Sequence, residues 1–374
     1  MEGRGFFEKD LYTGQERNNG SFFLQPEYRY RLEGGSGFTA VPFLRVDSAD
    51  EERTHFDLRE LNLLWVWEKG EMRAGIGKVF WGVTEFVHLV DIVNQTDLVE
   101  QIDGEEKLGQ PMVQLSFPSG WGLLDAFILP YFRERTFPGE SGRLRGPLYV
   151  DTGETEYEDG ARERHVDFAF RYSHTIGDAD FGIYHFTGTG REPTLVPVVE
   201  IRREGVFPVP VVVALAPVYV QIDQTGFDLQ AAVGGWLLKF EGYRRTGQGD
   251  PFHAAAGGAE YTFFGLVDGK TDLGLVAEYA WDERGEEAST PYQDDLMLGL
   301  RLALNDPAGT QALIGYIRDT ENRSGIVTLE SRRRVGDDWK ISLEGALFLD
   351  QPQGDYLYGL RDDDFITLEL IYYF

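Results

Sequence analysis

Charged residues recur at every second position along several stretches of this chain, and any chemistry has to be sought in that spacing. Glu27, Arg29 and Arg31 alternate with Tyr28, Tyr30 and Leu32, and Asp167 and Arg171 alternate with Phe168, Phe170 and Tyr172. Lys239 and Glu241 interleave with Leu238 and Phe240, Arg301 with Leu300 and Leu302, and Lys340 and Glu344 with Ile341 and Leu343. Arg45, Asp57, Arg59, Glu278 and Glu369 belong to the same polar set. Both signs of charge on one face have two uses. They can line an enclosed aqueous space, where ringed charges shape the field and set ion preference, or they can pair into a lattice that stiffens a wall. The two uses are compatible.

Catalytic readings find little support. The six His form no HExxH pair, no GxSxG elbow is present, and no Ser–His constellation can be identified, so no enzyme activity and no catalytic residue is expected. His165, Asp167 and Arg171 share one strand face, which a polar row explains without proton chemistry. The acidic runs from Asp47 to Glu52 and from Asp282 to Glu287 lack EF-hand spacing, so they are expected to be solvated loops rather than metal sites. No strand-to-helix phosphate loop follows Gly188-Thr189-Gly190, and no cofactor is expected.

The elements that would position these charges are strands. Side chains of a strand point alternately to its two faces, so a period of two with apolar residues on one side marks a wall between unlike surroundings. Leu296, Leu298, Leu300, Leu302 and Leu304 make one such row, opposite Met297, Gly299, Arg301 and Ala303. Trp339, Ile341, Leu343, Leu347 and Leu349 make another. Short turns such as Gly34-Gly35, Lys69-Gly70, Gly234-Gly235 and Gly336-Asp337 alternate with longer polar loops at 47–53, 133–164, 282–295 and 350–364. Short connections at one end and long ones at the other are the pattern of a spanning barrel. The proline-rich stretch from Arg191 to Val213 reads either as a long loop or as an extra hairpin, which leaves the strand parity open.

Composition narrows the class. Asp and Glu number 63 against 35 Lys and Arg in 374 residues, a formal charge of −28, which excludes nucleic acid as a partner because phosphate binding needs surplus cations. There is no Cys and hence no disulfide framework. The longest apolar run, Val209 to Val220, is interrupted by Pro210 and Pro217 and is too short for a spanning helix. Met1 to Arg4 lack the apolar stretch of a signal peptide, so a secreted chain is expected to be represented here without its leader. A mean hydropathy of −0.31 suits a barrel with a wet inner face.

Alternation alone would also allow a soluble sandwich or propeller. The last ten residues, Phe-Ile-Thr-Leu-Glu-Leu-Ile-Tyr-Tyr-Phe, place Ile366, Leu368, Leu370, Tyr372 and Phe374 on one face and end in an aromatic carboxylate. This resembles the C-terminal strand of Gram-negative outer-membrane proteins. The resemblance implies that Tyr372 and Phe374 carry the signal read by the barrel-assembly machinery. Gly77-Lys78-Val79-Phe80-Trp81-Gly82, Asp295-Leu296-Met297-Leu298-Gly299 and Leu360-Arg361-Asp362-Asp363-Asp364 are similar to porin-like outer-membrane proteins of proteobacteria. The expectation is an all-β chain: a closed antiparallel transmembrane β-barrel of roughly 16 to 18 strands in the bacterial outer membrane, in contact with bilayer and lipopolysaccharide.

Within it, residues 1–19 read as an N-terminal segment and 20–374 as the single barrel domain. Residues 83–110 read as a long loop containing a short helix, because Phe86, Leu89, Val90, Val93, Leu98 and Ile102 fall near helical spacing. Folded into the lumen, that loop would narrow a channel through Phe86, His88, Asp91, Asn94, Asp97 and Glu100; packed on the rim, it would not. The architecture suggests passive or facilitated diffusion of small hydrophilic or ionic solutes, the alternative being a non-conducting barrel with a structural, adhesion or envelope-complex role. The solute and the oligomeric state are not legible.

Overall fold

The computed structural model describes all residues other than Gly205, Val206 and Asp268. The chain begins with β1 (Glu2–Phe6), returns through β2 (Asn18–Leu24) and β3 (Tyr28–Arg31), and continues as β4 (Gly37–Asp47), β5 (His55–Trp67), β6 (Gly70–Gly77), β7 (Gln110–Ser119) and β8 (Gly122–Leu129). After the two-residue β9 (Glu156–Tyr157), β10 (Asp167–Ile176) and β11 (Ala179–Thr189) extend the wall. The hairpin β12 (Thr194–Glu204) and β13 (Phe207–Tyr219) then leaves it. The remaining staves are β14 (Gln221–Val233), β15 (Trp236–Gly247), β16 (Gly249–Phe263), β17 (Asp272–Asp282), β18 (Asp294–Ala303), β19 (Gln311–Asp319), β20 (Gly325–Val335), β21 (Trp339–Leu349) and β22 (Phe365–Tyr372).

Every wall strand pairs antiparallel with its neighbour, and β1 pairs with both β2 and β22, so the sheet closes. β2 lies against Leu44–Asp47 and β3 against Gly37–Ala40 of the same strand, β4. They are halves of one stave interrupted at Pro26, which cannot donate to a ladder. Counted this way, the barrel has 18 strands. Closure removes the exposed edges that an open sheet would present. One sequence expectation is corrected here, and one left open is resolved. Residues 1–19 are not a separate segment, because Glu2–Phe6 is the closing strand. Its signal was weak because two of its five residues are Gly and only Phe6 is apolar. The stretch around Arg191 to Val213 adds no wall strand. It lies mostly in the β12–β13 hairpin, a separate small sheet with β9.

The turns at 68–69, 120–121, 177–178 and 234–235 share one end with both chain termini. The long connections at 78–109, 130–166, 190–220 and 350–364 share the other. Outward-facing Leu296, Leu298, Leu300 and Leu302 are all exposed, as are Trp65, Phe168, Phe170, Trp236, Leu238, Phe240, Leu347 and Leu349 around the girth. Water would not tolerate an apolar surface of this extent, and hydrocarbon would. Tyr372 packs on Trp339 at 4.9 Å near the turn end, in the position of an interfacial aromatic girdle.

Candidate functional site: the inserted loop and the lumen

The 32-residue connection between β6 and β7 reaches inward, because its groups bond to inward-facing side chains on opposite sides of the wall. On β15, the fully buried Glu241 carboxylate accepts hydrogen bonds from the backbone N–H of Val83, of Thr84 at 2.9 Å and of Val90 at 3.2 Å, and from the Thr84 hydroxyl at 2.7 Å. On β17, Glu278 accepts from the N–H groups of Glu85 at 2.8 Å and Phe86 at 3.2 Å. Lys239 lies 3.2 Å from Glu85 and 3.9 Å from Glu278, and Arg301 also pairs with Glu85. On the far side, Arg45 of β4 grips Glu100 through two bonds of 2.9 and 2.6 Å, and Arg59 of β5 holds Asp97 at 2.6 Å. From β21, Glu344 accepts the Gln101 side-chain amide at 2.5 Å.

These bonds explain a further correction: 83–110 contains no helix. The Val90 N–H, which in a helix would bond to the Phe86 carbonyl, is taken by Glu241. The apolar residues that imitate a helical stripe serve two separate clusters. Val90, Ile92 and Val93 pack with Trp81, Met112, Phe127 and Tyr184, while Phe86, Val87, Leu89 and Ile102 pack with Met297, Ile317 and Phe348. A segment held between two walls buries residues on both sides, and its apolar spacing then carries no helical information.

Phe86 has a fitted seat. Gly299 of β18 and Gly315 of β19 face each other in register. A Cβ built at these positions would lie 3.0 and 2.7 Å from the Phe86 ring, and at Gly315 it would also press on the Thr328 hydroxyl, a side chain free to rotate. Gly315→Val is therefore expected to eject that ring, at a cost of about 1–3 kcal/mol for overpacking, while leaving the ladder intact. The check is a larger or noisier conductance step from a barrel of unchanged heat-modifiability, and an unaltered step would rule the seat out as an anchor.

The charged positions singled out from the sequence divide into two groups. Arg45, Asp57, Arg59, Asp167, Arg171, Lys239, Glu241, Glu278 and Arg301 are committed to fixed pairs. Examples are Asp57 with Arg133 at 2.8 Å, Asp167 with Arg191 at 2.7 Å and Arg171 with Asp228 at 2.7 Å. Glu27, Arg29 and Arg31 are exposed near the turn end, and Lys340, Glu344 and Glu369 are half-buried on the inner wall. The loop candidates mostly anchor. Asp91, Asn94, Asp97 and Glu100 are buried, with Asn94 bonding to Val79, Gly77 and Leu108, and His88 stacks edge-on against Phe80 at 4.8 Å.

Other acids face the open space. Asp103 and Glu105 are exposed on the loop, and Glu330 of β20 is exposed opposite its register partner Glu344. Asp103 lies within electrostatic reach of Glu105, Glu330 and Glu344, with Arg4 and Arg301 among the cations that bear on the group. Thr328-Leu329-Glu330 alternates as the other strands do, but Ser331 and Arg333 blur the apolar face beyond it. A cavity of about 690 Å³ connects Asp103, Glu330 and Glu344 to the loop end, where Pro147, Pro291, Tyr356 and Leu357 bound it and Lys107, Arg135, Arg145, Arg191 and Arg245 also line it.

Glu192 ties the mouth together, accepting from Arg245 at 2.8 Å and from the Ser289 hydroxyl at 3.2 Å. Burial opposes its ionisation, but the guanidinium groups of Arg245 and Arg135 outweigh that and hold it down at about 2. A lowered carboxyl contributes stability that is fully present above the ordinary glutamate value and is lost progressively as pH falls from there through the folded one. Around Glu192 the mouth is thus expected to become progressively more open to pepsin as the pH falls from about 4 to about 2. Equal cleavage at the two ends of that window would contradict this.

No family model matches the chain, and no curated protein does either. Solved structures do match. Wzi, an outer-membrane protein involved in group 1 capsule assembly in Escherichia coli and described as a carbohydrate-binding β-barrel, aligns with a TM-score of 0.54 at 10% identity over 100% of this chain and 83% of its own. The fold is that of the outer-membrane β-barrels. OccAB3 of Acinetobacter baumannii aligns with a TM-score of 0.53 at 10% identity over 99% and 97% of the two chains. A BenF-like porin of Pseudomonas fluorescens gives 0.52 at 10% over 99% and 94%. The likeness covers the whole barrel and carries the fold alone.

Proposed function

We propose that the protein is an outer-membrane channel for passive or facilitated diffusion of small hydrophilic or ionic solutes, with residues 78–109 as the segment that narrows it. The observation that carries this reading is the loop's attachment to both sides of the wall beside a cavity that stays open to the mouth. On this reading the short turns are periplasmic and the long loops extracellular, the outer band meets lipid and lipopolysaccharide, and the exposed Phe374 beside Tyr372 serves assembly. The likeness in fold to a BenF-like porin supports this reading.

The second reading, a non-conducting barrel with a structural, adhesion or envelope-complex role, draws on the dense apolar cluster inside the loop end. Refolded protein in a planar bilayer under a salt gradient separates the two. The channel reading expects stable, stepwise conductance with a reversal potential favouring cations. A folded, heat-modifiable barrel without conductance would sink it and leave the second.

A further inference from the structure

The β12–β13 hairpin is an apolar ribbon that the barrel does not need. Ile201 is 75% exposed, Phe207 74% and Val199 53%, and an isolated two-stranded ribbon is marginal in water. Its two long edges differ. Near the base, the outer edge of β13 is occupied: Val218 and Tyr219 pair with β9, and Leu215 exchanges backbone bonds with Tyr149 and Asp151. Farther out, that edge carries Pro208 and Pro210, whose nitrogens have no hydrogen to offer. The outer edge of β12 carries one proline near its base, Pro197, and beyond it has neither protection. Among the described residues no strand pairs with it beyond β13 on its inner side.

The register shows which groups that edge presents. Pro210 pairs with Ile201 and Pro208 with Arg203. Since proline nitrogens sit in the outward positions of a ladder, Ile201 and Arg203 share the outward phase, as does Val199 two residues back. Their N–H and C=O groups point away from β13 with no partner strand, a template for strand addition.

The side chains specify the added strand. Glu200 and Arg202 occupy one face, 3.2 Å apart and both exposed. If a second β12 pairs antiparallel about Ile201, Glu200 lies opposite the partner's Arg202 and Arg202 opposite the partner's Glu200. Moving the centre to Glu200 or Arg202 sets like charges against each other, which is unfavourable for directly opposed pairs. The segment is self-complementary in one register only. We infer that the outer edge of β12 is a homodimer interface, joining the hairpins of two copies into one continuous extracellular sheet with Ile201 on the two-fold axis. This isologous geometry uses the same patch on both copies.

The chain has no Cys, so Ile201→Cys introduces a single thiol. On the axis, its Cα would lie about 5.5 Å from its mate, within disulfide reach. The inference predicts an oxidised Ile201→Cys dimer in proteoliposomes, and a far weaker one from Phe207→Cys on the other strand. In detergent, sizing of the wild type should give a dimer. Ile201→Pro should abolish it without touching the hairpin's own ladder, because the lost N–H points outward. Glu200→Arg should also abolish it, and Glu200→Arg with Arg202→Glu should restore it. A wild type that stays monomeric with no Ile201→Cys cross-link overturns the inference. So does a dimer that survives both Ile201→Pro and Glu200→Arg.

Discussion

Glu241→Ala is expected to free the first third of the inserted loop and raise the single-channel conductance, while the barrel itself stays folded. The carboxylate is fully buried and is the acceptor for four donors spread over Val83 to Val90. Removing it strands the three backbone N–H groups at about 1–3 kcal/mol each if they stay buried, while the Thr84 hydroxyl keeps the Val87 carbonyl as an acceptor. The loop then reaches water more cheaply by leaving the wall. The strand is not at risk, since β15 keeps its backbone ladders to β14 and β16. Glu241→Gln should fall between. Three of the donors meet one oxygen, Oε1, which an amide still offers, whereas the Val90 N–H meets Oε2, where the amide would place a second donor. Conductance together with hydrogen exchange across 83–90 gives the readout. Equal conductance and equal protection in all three proteins would mean that Glu241 does not hold the loop.

Glu330→Gln combined with Glu344→Gln is expected to move the reversal potential towards zero. The two carboxylates face each other across β20 and β21, with Asp103 and Glu105 above them on the loop. At roughly 7 Å in water a unit charge changes a permeant ion's energy by about 0.6 kcal/mol, close to RT. Each acid should therefore change local cation occupancy by about threefold, and less as salt screens it. The double variant should lose most of its cation preference at low salt and show a smaller difference at high salt. Reversing Arg301 alone would disturb the Glu85 anchor as well, so it is the poorer test. A preference unchanged by the double variant would place the selective region elsewhere in the lumen.

The legible part of the fold was the part that lipid enforces. A row such as Leu296 to Leu302 is uniform because every member meets the same solvent, and the period survives in the sequence. β1 was not legible, because with Gly3 and Gly5 on its outer face it carries no apolar row. Glu241 and Glu278 were recognisable as inward-facing, but their partners are backbone N–H groups about 150 to 190 residues away, and no residue type encodes a backbone partner. Asp91, Asp97 and Glu100 were read as facing a pore because acids in a loop usually meet water. Here lysine and arginine side chains neutralise them, and the choice of partner depends on which strand lies across the lumen. The acids that do face the open space sit on the loop's last turn and on a strand whose alternation fades, and neither position is marked by composition.

The seam between β1 and β22 also constrains how the molecule is made. Arg4 and Thr367, which meet there through a 3.0 Å side-chain hydrogen bond, are 363 residues apart. Every other wall pairing joins strands nearer in sequence. Contacts of such separation form late, because chain entropy must be lost before they return anything. Until the last strand arrives, the growing sheet has two raw edges, and a cell that makes this protein has to shelter them for the whole of its synthesis and delivery.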